Sequence, residues 1–345
     1  MHIIHHTRAR CVKKCVFDAP AHVYVYFPLP ICYNSYGMKK TAALLLVLLL
    51  AVCLLPAKGT KEAQDTGIRI MATIFPEYDW VREILGGNPA GMKLSLLLDS
   101  GADLHNFQPT ADDMVAISSS DVFIFVGGES DEWVDDILKR VGSGKMKTIS
   151  LLDILGDRAM EEEHDYDGYD EHVWLSLRNA SVFCTEIARV LSELDPQNAQ
   201  LYARNLDSYL KKLSALDAEY SQAVENARFK AMVFGDRFPF AYLAADYGLE
   251  CHAAFSGCSA ETEASFETIA SLSAKLDELG LGCVMAIDGS DGKIARTIIR
   301  NSGSQDRRVL VLDSMQSVTS ADVKAGSTYL GIMEKNLGVL SEALD

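Results

Sequence analysis

Short β-rich runs alternate with amphipathic helical stretches along this chain of 345 residues, and the alternation occurs twice. Four runs lie in the first half of the pattern and four in the second. They are Ile68–Ile74, Leu94–Leu98, Val122–Val126, Lys147–Leu151, Ala231–Phe234, Glu250–Phe255, Val284–Ile287 and Val309–Leu312. Strand–helix alternation predicts parallel sheets flanked by helices. We therefore expect an α/β fold of two lobes, each built on a mainly parallel four-stranded sheet.

A single long helix is predicted between the two sets of strands. Asp195 is a suitable N-cap, Pro196 suits the first helical position, and apolar residues then recur every three or four positions. A helix over 197–227 would be about 45 Å long and stiff. We assign 67–194 to an N-terminal lobe, 195–227 to the interdomain helix and 228–345 to a C-terminal lobe. Since ligands of open α/β sheets lie beyond the carboxyl ends of the strands, we expect a binding cleft between the lobes.

The segment 38–59 has the pattern of a secretory signal peptide. Met38 is followed by two lysines and then by an apolar run that is too short to span a bilayer. Because a signal begins at the N-terminus, we expect Met38 to be the true start and 1–37 to be upstream sequence translated in error. Cys53 lies where a lipoprotein signal places its lipidated cysteine, although Val52 departs from the small residue expected there. The segment predicts export, either to the periplasm or to a lipid anchor on the outer face of the cytoplasmic membrane.

The acidic composition excludes one class of partner and leaves the redox state open. The chain has 48 Asp and Glu against 32 Lys and Arg, so its net charge of −16 repels nucleic acid, and we expect no nucleic-acid partner. We expect membrane contact only through a lipid anchor. Export permits disulfides, but spacing does not assign one, and no CxxC pair indicates a structural zinc site. The cysteines beyond the signal are Cys184, Cys251, Cys258 and Cys283.

Two histidines and two aspartates follow predicted strands or precede apolar turns. His105 lies in a glycine-containing loop after the second strand, and His172 ends an acidic stretch just before Val173-Trp174-Leu175. Asp236 and Asp313 each end a strand of the second set. Each residue alone is also consistent with a structural role, such as a solvated side chain, a helix cap or an ion pair. Together, two imidazoles and two carboxylates suit Zn²⁺ and could also hold Mn²⁺. Four protein ligands leave no obligatory position for a catalytic water, which favours holding a metal over using it as an enzyme does.

Several motifs resemble those of the metal-binding solute-binding proteins of bacterial ABC importers, in the subgroup with a rigid interdomain helix. The likeness runs from about Arg69 to Leu344. The motifs are 74–79 (Ile-Phe-Pro-Glu-Tyr-Asp), 101–109 (Gly-Ala-Asp-Leu-His-Asn-Phe-Gln-Pro), 171–175 (Glu-His-Val-Trp-Leu) and the helix start at 195–209. The resemblance implies a receptor that captures Zn²⁺ and delivers it to a membrane permease. It also implies His105 and His172 as ligands, and Asp313 at the carboxylate position of the family.

The chain departs from the zinc members of that family at one ligand. Most of them carry a third histidine where this chain has Arg237, which cannot bind a cation. The neighbouring Asp236 is our expected substitute, and a Cys258 thiolate is the alternative. The acidic stretch 161–170 resembles the zinc-collecting loop of such proteins, with His164 as a transient ligand. We expect a monomer.

Three other functions stay open at this point. An Asp in place of the third His hardens the site and favours a Mn²⁺ or Fe²⁺ receptor of the same family. An exported zinc-dependent hydrolase is a different class, and the chain shows neither an HExxH nor a GxSxG motif. A surface adhesin could use the same fold.

Overall fold

The computed structural model describes residues 67–345, except 89, 143–145, 163–167, 258 and 260–262. The described residues all belong to one compact unit. The predicted upstream sequence 1–37, the signal peptide with Cys53, and the candidate ligands His164 and Cys258 lie outside the described residues.

Two four-stranded parallel sheets form the centres of the two lobes. The first has the order β2-β1-β3-β4 and the second the order β6-β5-β7-β8, so the two have the same topology. The strands are β1 Arg69–Ala72, β2 Lys93–Leu96, β3 Val122–Phe125, β4 Lys147–Ser150, β5 Ala231–Phe238, β6 Glu250–Ser256, β7 Cys283–Ile287 and β8 Arg308–Leu312. The predicted α/β fold of two lobes is confirmed.

Eleven α-helices in the described part of the chain cover the sheets and connect the lobes. They are α1 Phe75–Leu85, α2 Ala111–Ser118, α3 Glu132–Val141, α4 Leu151–Leu155, α5 Leu177–Leu194, α6 Ala199–Asn226, α7 Ala241–Tyr247, α8 Phe266–Glu278, α9 Lys293–Asn301, α10 Ser320–Lys324 and α11 Tyr329–Leu344. Short 3₁₀ turns lie at Leu104–Asn106, Glu129–Asp131 and Val173–Leu175; the first contains His105, the second contains Ser130, and the third directly follows His172.

Helix α6 is the predicted connector, but it begins later than expected. It has 28 residues, hence a length of about 42 Å, and it starts at Ala199 with Asn198 as its N-cap. Asp195 instead follows the last residue of α5, and its Oδ2 accepts hydrogen bonds from Asn198 Nδ2 and the Tyr202 hydroxyl, both at 2.7 Å. The prediction of Asp195 as the N-cap was therefore wrong. Its carboxylate instead stabilises the turn before the helix through these two hydrogen bonds. The exact lobe boundaries stay a prediction.

The described residues bear on membrane spanning and on the state of the cysteines. We find no helix among them that is both long enough and apolar enough to cross a membrane. The thiols of Cys184 and Cys283 are buried and free.

Hydrogen bonds join the two lobes close to the candidate site. Trp174 Nε1 donates to the Ser314 carbonyl at 2.9 Å, and the Tyr329 hydroxyl donates to the Trp174 carbonyl at 2.8 Å. Both aromatic side chains are buried, Trp174 at 1% exposure and Tyr329 at 0%. The segment just after His172 is thus held by the C-terminal lobe.

The loop after β2 is also held against the C-terminal lobe. The Ser320 backbone N–H donates to the Asp99 carbonyl at 2.7 Å, and Ser100 pairs with Thr319 in an isolated antiparallel bridge. Gly101 has a φ of +76°, and a Cβ at this position would lie 2.9 Å from the Ser317 carbonyl oxygen. Glycine therefore lets the His105 loop approach the other lobe.

Candidate metal centre

The two candidate histidines meet through their ring nitrogens. His105 Nε2 lies 3.0 Å from His172 Nε2, although 67 positions separate them in the sequence. His172 is fully buried, and the His105 side chain is 10% exposed. In a tetrahedral zinc site with Zn–N bonds of about 2.0–2.1 Å, two ligand nitrogens lie about 3.3 Å apart. The pair is therefore close to the separation that a shared Zn²⁺ requires.

The backbone at each histidine is fixed by an aspartate two residues earlier. Asp103 Oδ1 accepts the His105 backbone N–H at 3.0 Å, and Asp170 Oδ1 accepts the His172 backbone N–H at 2.8 Å. A side chain that bonds to the backbone two residues ahead is a turn-forming device. Two separate turns of the same kind thus position the two imidazoles.

Carboxylates also lie beside the other ring nitrogen of each histidine. His172 Nδ1 is 3.0 Å from Asp170 Oδ1. His105 Nδ1 is 2.8 Å from Ser130 Oγ and 3.4 Å from Glu171 Oε2. Carboxylates at the second ring nitrogen are typical of histidines that bind metals through the first. Burial alone would raise the pKa of Glu171, but the contacts with His105 and Ser130 outweigh it and hold that pKa below its usual value.

The C-terminal lobe closes over His172. A Cβ on Gly257 would lie 3.0 Å from His172 Cε1 and Nδ1 and 2.9 Å from the Phe238 carbonyl oxygen. On another side, the ring of Trp174 lies 5.2 Å from that of His172, centroid to centroid. These contacts exclude water from one face of the imidazole.

Asp236 lies inside a strand rather than after it. Strand β5 continues to Phe238 across a register shift between Phe234 and Arg237, so the predicted strand end at Phe234 was wrong. The bulge turns Asp236 towards a cleft of about 580 Å³ that it helps to line. Its Oδ1 accepts the Arg237 backbone N–H at 3.0 Å, whereas its Oδ2 is buried and has no hydrogen-bond partner among the described atoms.

Asp313 follows β8, as predicted, and it is fixed by its surroundings. Its Oδ1 accepts the Met315 backbone N–H at 2.8 Å, and its own backbone N–H donates to Asn336 Oδ1 at 2.9 Å. Burial and the neighbouring charge of Asp288 raise the pKa of Asp313 to about 6. A nearby cation would stabilise its ionised form.

The structure brings together two of the four predicted ligands. His105 and His172 are in contact, but within the described ranges no group of three His, Cys, Asp or Glu side chains could hold a metal ion. Asp236 and Asp313 are therefore not gathered with the histidines in this structure, and their role as ligands stays a prediction.

Arg237, at the expected position of a third histidine, makes an ion pair across the cleft. Its Nη2 lies 2.5 Å from Asp103 Oδ2, so the aspartate that fixes His105 is also bound by the C-terminal lobe. Burial alone would raise the pKa of Asp103, but the Arg237 guanidinium lowers it below its ordinary value. Arg237 therefore helps to hold the His105 turn.

Two buried carboxyl groups extend from the site into the N-terminal lobe. Asp131 Oδ2 accepts the Gly127 backbone N–H at 2.9 Å, and burial together with the charge of Glu171 raises the pKa of Asp131 to about 7. Glu77 Oε2 accepts the backbone N–H groups of Thr73 at 2.8 Å and Ile74 at 3.2 Å. Burial, with the charge of Asp131, raises the pKa of Glu77 to about 8. Both groups carry an oxygen without a hydrogen-bond partner among the described atoms.

Sequence reasoning missed Asp103, Ser130, Asp170 and Glu171 as parts of the site. The interpretation of 161–170 as a collecting loop is corrected at its end, since Asp170 is only 4% exposed and holds His172. The loop is closed at its base, where Glu162 N–H donates to the Gly168 carbonyl and Asp170 N–H to the Met160 carbonyl. The Asp-x-His spacing, present at both 103–105 and 170–172, was the available signal.

Known zinc-binding proteins have sequences similar to that of this chain. The zinc-binding lipoprotein AdcA of Streptococcus pneumoniae is 30% identical over 318 residues, which cover 89% of this chain and 62% of AdcA. The chain therefore spans less than two thirds of the length of that relative.

Solved structures share the fold. The Zn(II)-bound ZnuA-like domain of S. pneumoniae AdcA superposes with a TM-score of 0.66 at 28% identity, covering 81% of this chain and 99% of that domain. The laminin-binding protein Lmb of Streptococcus agalactiae superposes with a TM-score of 0.69 at 26% identity, covering 81% of this chain and 100% of Lmb. The family model described as "ZnuA: Zinc-uptake complex component A periplasmic" matches residues 70–343. This chain thus belongs to the ZnuA family.

Proposed function

We propose that this protein is an extracytoplasmic receptor that captures Zn²⁺ between its lobes and delivers it to the permease of an ABC importer. The observation that carries the proposal is the approach of His105 Nε2 to within 3.0 Å of His172 Nε2. Family membership and the Zn(II)-bound AdcA domain support zinc as the metal.

The two histidines bind the ion as neutral imidazoles through Nε2, and carboxylates of the C-terminal lobe complete the site. Asp236 has a buried oxygen without a hydrogen-bond partner among the described atoms, and Asp313 follows β8 in the same lobe. Together they would neutralise the charge of the ion. Since protons compete with metal for imidazole, affinity falls in acid. With every position filled by protein, the ion is carried and not used for catalysis.

The partner of the loaded receptor is a membrane permease, and the receptor works as a monomer. A lipid anchor at Cys53 would keep it at the outer face of the membrane, whereas cleavage after residue 57 would release it to the periplasm. Mass spectrometry of the N-terminus of the exported protein distinguishes these two forms.

Calorimetry on chelator-stripped protein tests the site. The wild type should bind one tight equivalent of Zn²⁺, and the His105→Ala plus His172→Ala double variant should lose it. The control is His252→Ala, because His252 lies on β6 and its Nε2 pairs with Glu250 at 2.8 Å. An unchanged affinity in the double variant would rule out the proposed site.

Zinc preference over manganese is a separate part of the proposal. Imidazole nitrogens favour Zn²⁺ more than the harder Mn²⁺, whereas each carboxylate moves the preference towards Mn²⁺. We expect Zn²⁺ to displace Mn²⁺ in a competition titration. Retention of Mn²⁺ against an equal concentration of Zn²⁺ would make the protein a manganese receptor of the same fold.

A second candidate function rests on the likeness to Lmb, whose structure is described as that of a bifunctional protein with adhesin and metal-transporting activity. The same fold here supports an additional adhesin role. Binding of the purified chain to immobilised laminin, against an albumin-coated surface, tests it. Equal signals on the two surfaces would remove this role and leave the zinc receptor unaffected.

A further inference from the structure

We propose that Glu171 is a positioning residue that holds His105 with its proton on Nδ1 and its Nε2 free to bind the metal. The inference rests on the proposed zinc site. Glu171 directly precedes His172 in the sequence, but the fold places it beside His105, the other histidine of the pair.

The Glu171 carboxylate is fixed on several sides. The side chain is 3% exposed, and its Oε1 accepts the Ser130 backbone N–H at 2.9 Å. Gly128, with a φ of +86°, lies so close that any Cβ there would clash with Glu171 Oε1. The remaining oxygen, Oε2, lies 3.4 Å from His105 Nδ1 and makes no hydrogen bond among the described atoms.

The chemistry of the two groups beside His105 Nδ1 differs. The Ser130 hydroxyl, at 2.8 Å, can either donate or accept, so it is compatible with a proton on either ring nitrogen. A carboxylate can only accept. Glu171 therefore favours the tautomer that carries its proton on Nδ1 over the one in which His105 Nε2 donates to His172 Nε2 at 3.0 Å, and the favoured tautomer leaves the Nε2 lone pair for the metal. A cation at Nε2 would make the Nδ1 proton more acidic and so strengthen its attraction to the Glu171 carboxylate.

Adjacent residues thus serve different histidines. Asp170 turns back onto His172 Nδ1 at 3.0 Å, whereas Glu171 reaches across to His105. Alternate directions of neighbouring side chains allow one short segment to orient both imidazoles. The arrangement couples the placement of His105 to the segment that carries His172.

The direct test reads the tautomer in metal-free protein. Long-range ¹H–¹⁵N spectra of histidine-labelled wild type at pH 8 should show His105 with its proton on Nδ1, with the signal assigned by its loss in His105→Ala. Glu171→Ala should move the proton to Nε2 or give a mixture. A tautomer that is unchanged in a folded Glu171→Ala variant would overturn the proposal. A general structural role would alter the melting temperature without altering the tautomer.

The second test measures zinc affinity with a competing chromophoric chelator. Loss of an outer carboxylate typically weakens metal binding about 10- to 100-fold, and we expect this loss in Glu171→Ala. Glu171→Gln keeps an acceptor oxygen of equal reach, so it should fold well and lose less. The control Glu129→Gln removes the same charge from an exposed position in the same region.

The two tests separate this inference from the proposed function. Unchanged affinity in both folded Glu171 variants would overturn the positioning role while leaving the zinc site standing. Failure of the wild type to bind zinc would remove the proposed function, and the tautomer in metal-free protein would still decide whether Glu171 orients His105.

Discussion

The two lobes have the same strand order, yet they contribute unequally to the candidate metal centre. The N-terminal lobe supplies two imidazoles already 3.0 Å apart, each with a carboxylate at its other ring nitrogen. The C-terminal lobe supplies Asp236 and Asp313, which do not join the histidines in a group that could hold a metal among the described residues. The half of the site from the N-terminal lobe is preorganised. The half from the C-terminal lobe has two fixed carboxylates, but they are not gathered with the histidines.

The difference follows from how each half is held. Each histidine is fixed by an aspartate two residues earlier, so the turn itself sets the geometry. Asp236 depends on a bulge in β5, and Asp313 on contacts with Met315 and Asn336. We infer that the N-terminal half dominates affinity and the C-terminal half adjusts it. Zinc affinity should therefore fall most for variants of the N-terminal half, less for variants of the C-terminal half, and least for changes outside both.

The largest effect on zinc affinity is expected from removing a preorganised ligand. His172→Ala should weaken zinc binding by about 1000-fold, or ~4 kcal/mol, because it deletes a buried donor and opens the site to water. Competition with a zinc chelator measures the loss, and circular dichroism checks the fold. A loss of less than tenfold would mean that the N-terminal half does not dominate.

The next effect concerns stability rather than binding. The pKa of Glu77 is about 8 in the folded protein against 4.5 for the free side chain. The raised pKa means that its stabilising contribution is complete below about pH 4.5 and is lost as the pH rises through 8. Glu77→Gln cannot ionise, so it should be about 5 kcal/mol more stable than the wild type at pH 9 and nearly equal at pH 4.5.

Urea unfolding at the two pH values measures this difference. Glu219→Gln is the matched control, because Glu219 is exposed on α6. If the stability of both variants depended on pH as that of the wild type does, ionisation of Glu77 would not destabilise the folded protein, and the prediction would be wrong.

A smaller effect is expected from the C-terminal half. Asp313→Asn removes one negative charge and one oxygen donor, and it should weaken zinc binding about tenfold, or ~1.4 kcal/mol. The control Asp291→Asn removes a charge from an exposed residue that lines the same cleft as Asp236. Equal losses in Asp313→Asn and His172→Ala would show that the two halves contribute alike.

The smallest effect is expected from the acidic stretch. Deletion of 163–167 removes His164 and leaves Asp170, Glu171 and His172 unaltered. The tight equivalent of Zn²⁺ should keep its affinity, and only weak additional equivalents should disappear from the calorimetric titration. Loss of the tight equivalent would place a permanent ligand within the deleted segment.

The fold was largely predictable because its signals are local. Strand–helix alternation and a long apolar periodicity depend on neighbours in the sequence, and each of the eight predicted strand runs overlaps an observed strand. The start of α6 was misplaced because Asp195, a common N-cap residue, bonds to Asn198 and Tyr202 instead. The bulge in β5 was also missed, since a register shift depends on the partner strand β6.

The candidate site was predictable in its residues but less so in its contacts. His105 and His172 were identified from motifs, and the fold brings them together. Asp170 was assigned to an acidic collecting loop and Glu171 was given no role, because charge density in a sequence does not reveal burial. Their burial comes from packing against residues far away, including Ser130 and Tyr242, whose hydroxyl donates to the Asp170 carbonyl.

Two α/β lobes, a stiff helix between them and a pair of histidines suited to a metal follow from the amino-acid sequence alone. Periodicity, spacing and side-chain chemistry are enough to predict those features. The three-dimensional fold was needed to show that the two Nε2 atoms meet, that adjacent carboxylates lie beside different imidazoles, and that Arg237 binds Asp103 across the cleft. The physical reason is that each of these contacts joins residues brought together by folding, and the free energy of a buried charge depends on what surrounds it.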